Sequence, residues 1–219
     1  MRTPCEPTFD KQARGTPAWL RLCALTLLCC VPAFDAAGQH HASHAAPPDA
    51  RQQPARDPFM HEAKIEAPDV WVRDQDGRRL RFYTDLIKGK KVAVGFFYTT
   101  CTFICTRHGE FFSKLQSLLR GRLGKDVFLV SVTMDPRTDT PAKLTRWGQT
   151  YRRQPGWTLV TGNVEELSRV LKVFTGNTAG PRDDHSSFFY IADDAEGSWN
   201  FMDTLVEPAA VIERLDARR

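Results

Sequence analysis

Two apolar runs restrict what this chain can fold into more than any other feature. Residues 91–98 (Lys-Val-Ala-Val-Gly-Phe-Phe-Tyr) and 127–134 (Val-Phe-Leu-Val-Ser-Val-Thr-Met) carry almost no polar side chains. A strand with one wet face alternates apolar and polar residues, whereas a near-continuous run is the pattern of a parallel strand covered on both faces. Between the runs, Phe111, Phe112, Leu115, Leu118 and Leu119 recur at helical spacing and predict a helix over 106–120. A second helix is expected from Pro141, with Thr140 as its cap and proline at the favoured first position. A short strand follows at 157–160, then a helix at 164–174, a strand at 187–191, a turn at 193–197 and a closing helix at 207–217. Upstream, 70–72 and 80–83 flank Asp74-Gln-Asp-Gly77, a hairpin signal, and 86–89 makes a short turn. Strands alternating with helices give an α/β sheet with right-handed crossovers.

The chain has 219 residues. That suffices for one domain of ~150 residues and a tail. Residues 18–34 are mostly apolar and follow a basic start, but Arg21 interrupts them. The remaining core of about a dozen residues is shorter than the ~20 that span a bilayer. Residues 1–37 therefore read as a cleaved signal peptide, with 31–33 (Val-Pro-Ala) as cleavage site, as an uncleaved membrane anchor, or as a lipoprotein signal at Cys29 or Cys30. Each reading places the rest of the chain in the periplasm or on the extracytoplasmic face of the inner membrane. Residues 38–64, rich in Ala, Pro, Gln and His, read as a flexible tether, and 65–219 as the folded domain. The tether's His40, His41 and His44 fit a polar spacer, with metal collection as the functional alternative. Net charge is +4. Its spread along the chain gives no footprint for nucleic acid.

Of six cysteines, Cys5, Cys23, Cys29 and Cys30 lie in the leader, which leaves Cys101 and Cys105 for the domain. They stand where the first apolar run meets the first helix. A strand ending in a thiol pair at a helix start is the arrangement of thioredoxin-like redox and metal sites. With Cys105 in the first helical turn, both sulfurs converge over the helix N-terminus, where N–H groups and the dipole are expected to lower the thiol pKa. Thiolate is both the nucleophile of disulfide exchange and a ligand for soft metals. The spacing of three residues, wider than the two of dedicated oxidoreductases, can present both sulfurs to one ion. Phe103 and Ile104 are expected to keep water away, which suits Cu(I). The bland alternative is a structural disulfide. Two thiolates leave a metal under-coordinated. The histidine candidates are His185, in a polar loop before the 187–191 strand, and His108, expected at the surface. Asp139 and Thr140 are placed to cap the next helix, and Asp135 to shape the site by hydrogen bonding. A peroxide-reducing enzyme of the same fold would need a preorganised anion site, for which no distinctive residues are present.

Taken in order, residues 89–98 (Gly-Lys-Lys-Val-Ala-Val-Gly-Phe-Phe-Tyr), Cys101-x-x-x-Cys105, residues 131–141 (Ser-Val-Thr-Met-Asp-Pro-Arg-Thr-Asp-Thr-Pro) and Asp184-His185 resemble the Sco/SenC family of thioredoxin-fold copper proteins. The resemblance runs from about Pro68 to Arg214. It implies an α/β thioredoxin-like fold, a central mixed sheet flanked by helices, here with an N-terminal β-hairpin extension. It implies that Cys101, Cys105 and His185 bind one copper ion per chain. It also implies a metallochaperone that delivers copper to, or maintains the thiols of, the dinuclear copper centre of cytochrome c oxidase. The expected partners are that copper-centre subunit or another periplasmic copper or thiol client, a thiol reductant, and the inner membrane if the leader is an anchor. A periplasmic thiol–disulfide oxidoreductase using Cys101 and Cys105 as redox thiols is the alternative. The chain departs from the family at Thr106, where proline is common, and at Thr102-Phe103-Ile104, where many members carry Pro-Asp.

Overall fold

A computed structural model describes residues 60–180, 188–202 and 206–216. The elements run β1 (Met60–Ala63), β2 (Trp71–Asp74), β3 (Arg79–Arg81), α1 (Phe82–Leu86), β4 (Lys91–Phe97) and α2 (Ile104–Leu119). After a 3-10 turn at Arg120–Arg122 come β5 (Val127–Thr133), α3 (Pro141–Thr150), β6 (Trp157–Thr161), α4 (Val164–Thr175), β7 (Phe189–Asp193), β8 (Ser198–Met202) and α5 (Pro208–Asp216). The eight strands form one sheet in the order β1-β8-β7-β4-β5-β6-β2-β3. Strands β4, β5 and β6 are parallel, and β7 and β2 flank them antiparallel. This is the mixed α/β sheet expected from the two apolar runs, which become the neighbours β4 and β5, paired from Lys91↔Val127 to Phe97↔Thr133.

Successive side chains of a strand point to opposite faces, and Phe96 and Phe97 show what covers each. The Phe97 ring packs 4.2 Å from Trp147 of α3 and stacks on His108 of α2. The Phe96 ring packs 5.7 Å from Phe174 of α4, which in turn meets Phe82 of α1. Helices therefore cover both faces, and β4 is buried along its length except at Lys91. Three helix starts follow from local chemistry. Thr140 accepts from the Lys143 amide with Pro141 behind it, Asn163 caps α4 through the Glu165 amide at 2.8 Å, and Asp85 reaches back to the Arg81 amide at 2.6 Å ahead of α1.

The β2–β3 hairpin forms with Trp71 opposite Arg81. Its turn is closed by Asp74, which accepts from the amides of Asp76 and Arg78, with Gly77 at φ 80°. The second strand of the hairpin is shorter than the 80–83 reading, because Phe82 and the buried residues after it turn into α1. Helix α2 begins two residues before the expected 106. Strands β1 and β8 were not expected. Strand β1 falls within the 38–64 stretch read as tether, where composition alone shows no strand pattern. Pairing with β8, Met60 opposite Met202, holds it. The expected turn at 193–197 closes a β7–β8 hairpin, with the Gly197 amide on the Asp194 carbonyl at 3.1 Å.

Gly95 is the tightest point of the β4 surface. A Cβ there would stand 2.3 Å from His108 Cε1 and 3.0 Å from Phe112 Cζ. Gly95→Ala should destabilise the fold by about 1–3 kcal/mol through overpacking. Urea unfolding at neutral pH checks this, and an unchanged midpoint would show that the His108 ring can yield.

Candidate dithiol metal centre

Strand β4 ends at Phe97 and α2 begins at Ile104, so the thiol turn sits at the carboxyl end of the central parallel strands, where α/β sheets place their sites. Cys105 is fully buried in the first turn of α2, Cys101 is half-buried, and no disulfide joins them. The two sulfurs converge as the spacing predicts. The Cys105 amide donates to Cys101 Sγ at 3.4 Å, and the Tyr98 amide donates to Cys105 Sγ at 3.4 Å. The Cys101 amide closes the turn on the Tyr98 carbonyl at 3.3 Å.

The expected fall in thiol pKa is reversed at Cys105. Burial pushes this thiol well up, and the Tyr98 amide offsets only part of that rise. A helix N-terminus favours thiolate where water also reaches it. At complete burial the desolvation of the charge is the larger effect. Cys105 is therefore held as a thiol until a cation or a bond to another sulfur takes the proton's place.

Phe103 does not shield the pair, since the residue is 72% exposed. Ile104 beside it is half-buried.

Asp139 is buried and clamps the site rather than capping α3. It accepts from the amide of Thr99 at 3.0 Å, from the Thr99 hydroxyl, and from the Thr133 hydroxyl. Its own carbonyl accepts from Thr161 at 2.7 Å. The Asp139 carboxylate thus ties the loop leading to Cys101 onto the end of β5, and its main-chain carbonyl adds the end of β6. Capping falls to Thr140 alone. Asp135 folds the adjoining loop: its carbonyl accepts from the amides of Thr138 and Asp139.

His108 is not at the surface. It lies in the core with Nε2 on Ser131 Oγ at 2.9 Å, stacked on Phe112 at 4.3 Å, and burial lowers its pKa to about 3. Trp157 Nε1 donates to the same Ser131 hydroxyl at 2.9 Å. This His108–Ser131–Trp157 group belongs to the packing beneath the thiols. Helical spacing alone could not place it, because α2 turns that side onto β5.

His185, His40, His41 and His44 lie outside the described residues. The flanks of 181–187 are described, and both sit at the thiol end of the sheet. The Gly180 amide bonds the Met134 carbonyl just after β5 at 2.6 Å, and Phe189 pairs with Gly95 of β4. Among the described residues no group of three or more His, Cys, Asp or Glu is arranged to hold a metal. Two residues beyond the sequence reading also stand at the site, Thr99 in the clamp and Tyr151, whose ring packs on Gly109 of α2. Tyr151 lies far along the chain and carried no local signal.

A dithiol at the mouth of a helix-covered mixed sheet defines a thioredoxin-like redox or metal protein. The sequence profile of the SCO1/SenC family matches residues 70–218. The chain belongs to the SCO1/SenC family. A SCO2-like protein of Rickettsia conorii is 30% identical over 134 residues, 57% of this chain and 63% of that protein, so less than two thirds of the relative's length is matched. Among solved structures, BsSco, described as a member of the Sco family of cytochrome c oxidase assembly proteins with a disulfide switch, superposes with a TM-score of 0.61 at 22% identity, covering 72% of this chain and 95% of that one. The copper-bound ScoI of Bradyrhizobium japonicum gives 0.57 at 20% identity, covering 71% of this chain and 99% of that one. These likenesses establish the thioredoxin-like fold.

Two predictions follow from the buried polar groups. Between about pH 6.5 and 3 an unfolded His108 takes a proton that the folded one refuses. Its contribution is therefore complete above pH 6.5 and is lost as pH falls, by at most about 1.4 kcal/mol per pH unit. His108→Gln should flatten the stability profile by that slope in urea titrations at pH 7 and 4.5. Asp139→Ala leaves Thr99 and Thr133 donors unanswered and should cost about 2–3 kcal/mol, with faster exchange of the Thr99 amide by hydrogen-exchange spectroscopy as its local signature.

Proposed function

We propose that this chain is a copper metallochaperone of cytochrome c oxidase assembly, holding one copper ion between Cys101, Cys105 and His185. The observation that carries this reading is the pair of sulfurs converging at the carboxyl edge of the sheet, each bonded by a main-chain amide. Two thiolates form a soft donor set that fits Cu(I). Burial makes Cys105 costly to ionise alone, so a bound cation would supply the charge that offsets the thiolate. His185 as third ligand is supported by its flanks, which leave and return at the thiol end of the sheet. Copper as the metal is in keeping with the copper-bound state of the similar ScoI protein.

Delivery would be ligand exchange. A Cu–S bond to Cys101 breaks as one to an acceptor ligand forms, copper keeps its oxidation state, and the freed thiolates take up the protons that the acceptor's thiols release. The client is the dinuclear copper centre of cytochrome c oxidase, in keeping with the description of BsSco as a member of an oxidase-assembly family. The site would work outside the cytoplasm, where the leader and tether would place it. No described helix is long and apolar enough to cross a membrane.

The contrast between a half-buried Cys101 and a buried Cys105 supports a second reading, thiol–disulfide exchange. Cys101 thiolate would attack a client disulfide, forming a mixed disulfide and releasing one client thiolate. Cys105 would then resolve it, releasing the second. The client disulfide is reduced to two thiols, the Cys101–Cys105 pair is oxidised, and an external thiol reductant must restore it.

His185→Ala separates the two. In the full chain under anaerobic, reducing conditions, wild type should retain one Cu(I), with the substitution weakening retention by at least about tenfold and leaving exchange with a model disulfide nearly unchanged. Because loading displaces thiol protons, copper retention should also weaken as pH falls. Retention indifferent to His185 would transfer the assignment to disulfide exchange.

A further inference from the structure

Four large apolar side chains are exposed among the described residues: Trp71, Phe103, Leu118 and Val173. Trp71 is 41% exposed and lies under two guanidinium groups, Arg79 at 4.4 Å and Arg81 at 5.0 Å. Phe103 is the most open at 72%, and it stands between the two thiols. Leaving a phenylalanine in water forfeits the free energy that burying its ring would release.

Its backbone is nonetheless held. The Cys101 amide bonds the Tyr98 carbonyl, the Cys105 amide bonds Cys101 Sγ, and the Arg107 amide bonds the Phe103 carbonyl at 3.4 Å. Thr99, two residues before Cys101, is fastened to the buried Asp139. An aromatic ring carried on a held backbone has little main-chain freedom left to lose when a partner covers it, and aromatic anchors dominate binding energy at interfaces. Access points the same way. Cys105 is fully buried, so an incoming ligand meets Cys101 first, at the rim where Phe103 projects.

We propose that Phe103 is the docking anchor for the protein that exchanges copper or a disulfide with this site, its ring entering an apolar recess beside the acceptor's own sulfur or imidazole ligands. This rests on the exchange reading above. The ring would set which acceptor is served and how its ligands are brought against Cys101, without being a ligand itself. Because Phe103 occupies the N-cap position of α2 and makes no side-chain cap bond there, serine, a favoured capping residue, can replace it without loosening the helix.

The full chain carrying one Cu(I) is the test, as wild type, F103S and F103L. Transfer is followed to two acceptors: the soluble copper-centre domain of cytochrome c oxidase, and bathocuproine disulfonate, a small chelator that needs no docking surface. Calorimetry supplies the affinity between the loaded chain and the oxidase domain. F103S should weaken binding and slow transfer to the domain by about tenfold to a hundredfold, F103L should recover part of the loss, and extraction by the chelator should stay within about threefold for all three. Equal rates for wild type and F103S with the protein acceptor overturn the docking role. Equal slowing with both acceptors overturns it also, because Phe103 would then shape the metal site itself. Self-association of wild type that F103S abolishes, or binding of wild type but not F103S to phospholipid vesicles, overturns it in favour of a second copy or a lipid surface. A wild type that holds copper and never passes it to the oxidase domain overturns the client, and the docking surface with it. A wild type that retains no copper overturns the chaperone reading itself.

Discussion

The in-register pairing of β4 between β5 and β7 is the constraint on which the rest of the structure depends. A strand enclosed by neighbours on both edges and by helices on both faces cannot shift along its axis without moving Phe96 and Phe97 out of their aromatic settings. A slip by one residue would exchange the two faces. Its carboxyl end is therefore a fixed point, and the thiol turn is built on it. Gly95 completes the fit, because its missing side chain lets His108 press α2 against the sheet.

On that fixed end the protein has placed buried polar chemistry. Asp139 gathers an amide and two hydroxyls from two segments far apart in sequence, and a buried carboxylate so bonded specifies one arrangement of those segments. The same dry surroundings disfavour a bare thiolate at Cys105. Burial thus acts on the two groups in opposite ways. It strengthens the clamp of Asp139, which has donors, and leaves Cys105 waiting for a positive ion or a sulfur partner.

Much of the fold was legible. The apolar runs marked out β4 and β5, and Thr140-Pro141 the start of α3, because each depends on residues close in sequence. Strands β1 and β8 were missed for the complementary reason. Their pairing satisfies main-chain groups, and no side-chain pattern announces it. Leu80–Tyr83 misled because Phe82 is buried by a helical turn as well as it would be by a strand. At the site, convergence of Cys101 and Cys105 was readable from spacing, whereas the sign of the Cys105 shift was not. Spacing reports the helix N-terminus and is silent about depth.

The sequence by itself determined that two thiols would meet at the end of a doubly covered strand, and which family the chain joins, because strand period, helix caps and cysteine spacing are local properties. Only the tertiary structure decided which thiol is buried, that His108 belongs to the core, that Asp139 clamps and Thr140 caps, and that Phe103 faces solvent. Each of these depends on what packs against a residue from tens of positions away, and burial sets the strength of a charge or a hydrogen bond.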